Sequence, residues 1–90
     1  MDRYLPREEL SGSGRLLRYG EVVAEGVDYV ITISRDSDVP GVNSIDGRIS
    51  PPFPLQLIGE PIELELKDGR RWRCMIQSDS GSLVNRGGIN

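Results

Sequence analysis

The sequence predicts an all-β protein: a small single-domain antiparallel β-barrel or rolled sheet of five to seven short strands, with little helix. Three observations predict it. Eleven Gly and six Pro in 90 residues supply frequent turns and leave little room for long helices. The longest stretch free of both, 27–39, alternates apolar and polar side chains as a strand does. An Asp-Gly pair at 68–69 separates two further alternating segments, which is a strong signal for a β-hairpin.

The hairpin around Gly69 is the segment on which the rest of the chain is organised. Apolar residues alternate with other residues on both sides of the turn: Ile62, Leu64 and Leu66 before it, and Trp72, Cys74 and Ile76 after it. A two-residue turn would set apolar residues opposite charged ones, whereas a loop of Lys67, Asp68 and Gly69 pairs like with like. We therefore predict the three-residue loop, with Gly69 left-handed, Leu64 opposite Trp72, and Trp72 in the core.

A second hairpin is predicted upstream, from strands over 15–23 and 27–34. A three-residue loop at 24–26 would join them, and Gly20 predicts a bulge or bend in the first strand. Superposing Gly26 on Gly69 aligns further apolar residues of the two hairpins. An internal duplication of one hairpin is therefore a hypothesis that the sequence raises.

The domain boundaries follow from composition. Residues 1–13 end in a Ser-Gly-Ser run and are predicted to form a flexible N-terminal tail. The β-barrel domain then spans 14–86, and residues 87–90 are expected to fray. Within the domain, 36–43 is predicted to be a loop, because it combines Asp, Ser, Pro and Gly.

Composition weighs against catalysis, cofactors and metals. Histidine is absent, which removes the commonest general base and the usual metal ligand. Asp36 and Asp38 could act as acid and base, but turn formation explains them more simply. No phosphate-binding glycine loop or calcium-loop spacing occurs. Cys74 is the only cysteine, so an intramolecular disulfide is impossible and a small buried side chain is predicted.

Charge and hydropathy limit the class of partner and the location. The net charge of −3 is atypical of a nucleic-acid binder, which usually carries a basic surface. No apolar segment is long enough to span a bilayer, and none has the features of a signal peptide. We therefore expect no membrane partner and a cytoplasmic location.

The preferred hypothesis is a non-catalytic interaction module that binds a protein partner or another copy of itself. The predicted surface combines outward-facing residues of one strand with a proline-rich segment: Arg71, Arg73 and Met75, with Pro51, Pro52, Phe53 and Pro54. Methionine adapts to varied partners, and Arg48 precedes the prolines with the spacing of peptides that dock on SH3 domains. The alternative for this segment is a stiff connector in which Phe53 plugs the end of the barrel.

The alternative hypothesis is a barrel that binds a nucleotide or single-stranded nucleic acid. Its candidate residues are arginines near the N terminus and around Trp72: Arg3, Arg7, and the 70–73 segment with Arg70 and Arg71. Arginines beside an aromatic ring suit base stacking next to phosphate contacts. Arg3 and Arg7 also have an Arg-x-x-x-Arg spacing that resembles half of the signature of PilZ domains, which implies binding of a cyclic dinucleotide. The other half, Asp/Asn-x-Ser-x-x-Gly, is missing, since its nearest match at 36–41 lacks the serine.

Overall fold

The computed structural model describes residues 7–35 and 43–89 and shows six antiparallel strands that close into a barrel. The strands are β1 (Arg7–Arg18), β2 (Glu21–Arg35), β3 (Asn43–Ile49), β4 (Pro61–Glu65), β5 (Arg71–Ile76) and β6 (Ser82–Ile89). Around the barrel they lie in the order β1-β2-β3-β6-β5-β4, and β4 pairs with β1 to close it. The only helix in the described ranges is one 3₁₀ turn, Leu55–Leu57. The predicted fold class is confirmed.

The β4–β5 hairpin has the predicted register. Leu64 lies opposite Trp72, and the charged residues of the two strands face each other on the outer side. The backbone N–H of Leu66 donates to the carbonyl of Arg70 at 2.8 Å, which closes a three-residue loop. Gly69 has a φ of +93°, the left-handed conformation that this loop requires. Period-two alternation and one glycine were sufficient to predict this local structure.

The core is built from inward-facing side chains of all six strands. Trp72 is its largest fully buried side chain, as predicted. The indole lies directly over Gly47, where a Cβ would come within 2.6 Å of the ring atom Cζ3. The indole N–H donates to Oδ1 of Asn85 at 2.8 Å, so this buried polar group is satisfied.

The upstream hairpin turns at a different place from the predicted one. Tyr19 and Gly20 join β1 to β2, rather than residues 24–26. Their φ angles of +54° and +80° are those of a type I′ turn, whose twist matches the flanking strands. Gly26, with a φ of +66°, lies at a bulge inside β2. A left-handed glycine is suited to a bulge as well as to a loop. Gly26 and Gly69 therefore do not occupy equivalent turns in the two hairpins, as the duplication hypothesis would require.

Residues 7–13 belong to the sheet rather than to a tail. β1 begins at Arg7 and continues through the Ser-Gly-Ser-Gly run, paired with β2. A Cβ on Gly12 would come within 2.7 Å of Cδ of Lys67, and one on Gly14 would overlap the carbonyl oxygen of Glu65. The glycines therefore allow neighbouring segments to approach β1 closely. The composition of residues 11–14 resembles that of a flexible linker. The contacts that require glycine at these positions are made with distant residues, so composition did not reveal the strand.

Two further segments are ordered parts of the barrel. The segment after β3 turns inward: Phe53 is only 8% exposed, and its side chain packs in the core. This corresponds to the alternative in which Phe53 is a plug. β6 extends to Ile89, so residues 87–89 are part of a strand and not a frayed end. The predicted loop at 36–43 lies outside the described residues except Asn43, which begins β3.

Candidate functional site

The residues predicted to bind a partner lie on different parts of the barrel. Arg71, Arg73 and Met75 alternate along the outer face of β5, as predicted. Pro51 and Pro52 are exposed, Pro54 is half-buried, and Phe53 is in the core. The backbone N–H of Ile49, two residues before Pro51, donates to the carbonyl of Gly81 at 2.9 Å, in the connection that leads from the end of β5 to β6. Arg71 begins β5, about 16 Å from that end at ~3.3 Å per residue. These residues therefore do not form one continuous patch.

Carboxylates partly neutralise the arginines on β5. Glu65 accepts hydrogen bonds from Nε of Arg15 at 2.7 Å and from Nη2 of Arg71 at 3.3 Å. The Arg15 hydrogen bond is the main reason why the pKa of Glu65 is lowered. Glu63 lies 3.8 Å from Arg71 and 3.9 Å from Arg73. The outer face of this hairpin is a band of paired charge.

The residues of the nucleotide-binding alternative are not assembled in the described part of the chain. Arg70 pairs with its neighbour Asp68, Nε to Oδ2 at 2.8 Å. The backbone N–H of Arg70 is the main reason why the pKa of Asp68 is lowered. Trp72 is fully buried, so its ring is not available to stack on a base. Arg3, the side chain of Arg7 and the segment 36–41 lie outside the described residues.

Cys74 is an inert part of the core. It is fully buried opposite Ile62, and burial raises the pKa of its thiol to about 12. The prediction of a small buried side chain is confirmed. Within 7–35 and 43–89, no group of three His, Cys, Asp or Glu side chains is placed to hold a metal ion. No helix in the same ranges has the length and apolar character needed to cross a bilayer.

One strand edge of the barrel has no neighbour among the described residues. β1 pairs with β2 along its length, but it pairs with β4 only through residues 15–17. Residues 7–13, here called the β1 free edge, therefore have a strand on one side only within the ranges 7–35 and 43–89. No backbone hydrogen bond from a described loop or turn reaches them either.

Hydrogen bonds on the far side of β2 establish which backbone groups face the β1 free edge. The N–H of Ser50 donates to the carbonyl of Asp28 at 2.9 Å, so Asp28 faces β3 and Tyr29 faces β1. Tyr29 pairs with Gly12, so Gly12 and every second residue from it face β2. The residues between them direct their N–H and C=O groups to the free edge: Arg7, Glu9, Ser11 and Ser13.

A groove of about 280 Å³ lies between the β1 free edge and the β4–β5 loop. Its lining combines apolar and charged residues: Glu9, Leu10, Ser11, Tyr29, Leu66, Lys67, Asp68 and Arg70. The Tyr29 hydroxyl accepts a hydrogen bond from the backbone N–H of Lys67 at 3.0 Å. This bond holds the loop beside the edge, so the groove is bounded by two anchored segments.

Comparisons with protein-family models, with curated proteins and with solved structures found no match. The function is therefore argued from the geometry of the barrel. The β1 free edge was not predicted from the sequence, because residues 7–13 were expected to belong to a flexible tail. A usable signal was present: Leu10, Gly12, Gly14 and Leu16 alternate with polar residues at the period of a strand.

Proposed function

We propose that this protein is a non-catalytic interaction module that binds an extended segment of a protein partner along the β1 free edge. The observation that carries the proposal is the row of backbone groups on Arg7, Glu9, Ser11 and Ser13 that have no strand partner among the described residues. An exposed strand edge is a template for pairing with another chain. Strand addition is a common mode of peptide recognition, in which main-chain hydrogen bonds supply affinity.

Side chains near the edge define the chemistry of the partner segment. Glu8 and Glu9 are exposed, so Lys or Arg opposite them is favoured by about 0.2–1 kcal/mol per pair. Leu10 is half-buried in the groove, where an apolar side chain of the partner would lose contact with water. Residues 7–13 span about 23 Å at ~3.3 Å per residue, so the partner strand is short.

The same edge could accept a second copy of this chain. Antiparallel pairing about Ser11 would place Glu9 opposite Ser13 of the other copy and would oppose no like charges within residues 8–14. Sedimentation over a range of protein concentrations distinguishes this occupant from a different protein. If the wild-type protein forms a dimer and Ser11→Pro does not, the β1 free edge is the site of self-association.

Ser11→Pro tests the proposal directly. The N–H of Ser11 faces the free edge, so proline removes a donor there and leaves the β1–β2 hydrogen bonds in place. Ser11→Ala changes the side chain but keeps the N–H, and it is the matched control. Leu10→Pro removes an N–H that faces β2, so it should destabilise the fold. It serves as the control for the loss of a β1–β2 hydrogen bond.

A displayed library of random peptides, selected on the wild-type protein, supplies the binding probe. Selected peptides should bind wild type and Ser11→Ala equally by calorimetry, and Ser11→Pro about tenfold more weakly, because a main-chain hydrogen bond is lost. Hydrogen exchange at Glu9, Ser11 and Ser13 should slow in the complex. Equal binding to Ser11→Pro, or protection confined to other strands, would contradict the proposal.

A further inference from the structure

Tyr19 occupies a turn position that favours Gly or Asn. Its φ of +54° is left-handed, and its side chain is 87% exposed. A bulky residue pays a steric cost in this conformation, and type I′ turns prefer Asn-Gly or Gly-Gly. The exposed ring recovers little of that cost by packing. A strained residue that fold stability does not explain points to a function.

Tyr19 borders a cleft of about 400 Å³ on the outside of the barrel. Leu17 forms its apolar base, since it is buried but lies outside the main cluster of core side chains. Pro61 lines the cleft as well. The volume lies within the range of ~300–1,000 Å³ typical of small-molecule sites. The cleft therefore has room for a small apolar group beside the Tyr19 ring.

The charged side chains in the cleft are Arg73, Arg86 and Glu63. Arg73 is 64% exposed, and it approaches Glu63 only at 3.9 Å. Arg86 forms no ion pair with a described residue; its guanidinium lies 3.9 Å from Sδ of Met75. Among the residues that the structure describes, most of the donors of both guanidinium groups thus have no acceptor. Two positive charges and one negative charge leave a net charge of about +1 on the lining.

A bulge in β6 positions Arg86. The pairing with β5 passes from Asn85 to Gly88 and skips Arg86 and Gly87. Oδ1 of Asn85 accepts hydrogen bonds from the buried indole N–H of Trp72 at 2.8 Å and from the N–H of Gly88 at 2.9 Å. The bulge is therefore anchored to the core. Bulges of this kind redirect side chains beside functional sites.

The geometry points to a binding site for a single carboxylate carried on an apolar or aromatic group. A guanidinium group matches a carboxylate in shape and charge. Tyr19 and Leu17 would cover the apolar group, and Glu63 disfavours a doubly charged phosphate. A free aromatic acid and the C terminus of a peptide both carry this chemistry. The cleft lies at the opposite end of β1 from the free edge, so the inference stands independently of the proposed function.

Amide NMR titrations test the site with phenylacetate and with a short peptide that ends in phenylalanine. Shifts are expected at Tyr19, Gly20, Arg73 and Arg86. Phenylacetamide, acetate and the peptide with an amidated C terminus should each bind about tenfold more weakly, because each lacks the charge or the ring. Tighter binding of the free peptide assigns the carboxylate to a protein terminus, and tighter binding of phenylacetate assigns it to a small molecule.

Variants separate the cleft from general surface charge. Arg86→Gln should weaken phenylacetate binding about tenfold. Arg48→Gln removes an exposed arginine that does not line this cleft and should leave the affinity unchanged. Tyr19→Asn suits the turn, so it should weaken binding without lowering the unfolding midpoint.

Four results would overturn the inference: equal binding of phenylacetate and phenylacetamide, equal effects of Arg86→Gln and Arg48→Gln, tighter binding of phenyl phosphate, or no shifts at the cleft with either acid.

Discussion

Replacing Gly14 by alanine should strongly destabilise the barrel. A Cβ at this position would overlap the carbonyl oxygen of Glu65 and would lie 3.3 Å from Cε2 of Tyr29. β4 pairs with β1 on one side and with β5 on the other, so this oxygen cannot move alone. β1 must therefore shift away from β4 at the place where the two strands close the barrel.

The size of the effect follows from three contributions. Overpacking against fixed backbone costs ~1–3 kcal/mol. Each backbone hydrogen bond that loosens between β1 and β4 costs a further ~0.5–1.5 kcal/mol. The alanine also restricts the unfolded chain, which offsets ~0.4–1 kcal/mol. We expect a net loss of about 2–4 kcal/mol, a large part of the ~5–13 kcal/mol typical of a chain this long.

Urea unfolding followed by tryptophan fluorescence measures this loss. Trp72 is the only tryptophan and is fully buried, so its emission reports on the core. Gly12→Ala is the matched control, because its Cβ would first meet Cδ of Lys67, at the flexible end of a side chain. That variant should lose no more than about 1 kcal/mol. If Gly14→Ala were as stable as wild type, the packing of β1 on β4 would be refuted.

Two further predictions concern polar contacts. Asn85→Ala should lower the free energy of unfolding by about 1–3 kcal/mol, because the buried indole N–H of Trp72 loses its acceptor. Asn85→Asp keeps an acceptor and should lose less, and equal urea midpoints for Asn85→Ala and wild type would contradict the role of this bond. The pKa of Glu65 is lowered from 4.5 in the folded protein, chiefly by Arg15, so its stabilising effect is present above that value and is lost as the pH falls through the folded pKa. The urea midpoint of wild type should therefore drop more than that of Glu65→Gln on acidification from about pH 5 to about pH 2, and a parallel drop would argue against the Arg15 contact.

Local patterns predicted the β4–β5 hairpin and failed for the β1–β2 hairpin. Around Gly69 the alternation, the turn residue and the charge pairing all favour one register, and the structure has that register. Around Gly26 the same residue type lies at a bulge, and the turn is formed by Tyr19 and Gly20. Tyrosine is not a typical residue for this turn, so turn chemistry favoured the wrong site.

The candidate sites were harder to predict than the fold because they depend on contacts between distant segments. The exposure of Arg71 and Arg73 followed from alternation. The two glutamates of β4 partly neutralise them, and Arg15 on β1 shares Glu65 with Arg71. The cleft near Tyr19 is lined by a turn, by residues of β1, β4 and β5, and by a bulge in β6, which come from distant parts of the chain. No local pattern marks such a meeting point.

The sequence by itself determined that the chain is all-β, that Trp72 and Cys74 face inward, and that the acidic and basic residues of one hairpin face each other. These properties follow from side-chain alternation, which is a property of neighbouring residues. Only the tertiary structure decided that residues 7–13 belong to a strand, that β4 pairs with β1 only through residues 15–17, and that Arg86 shares a cleft with Tyr19. Those outcomes depend on where the barrel closes, and closure is set by the packing of glycines and large side chains from different strands against one another.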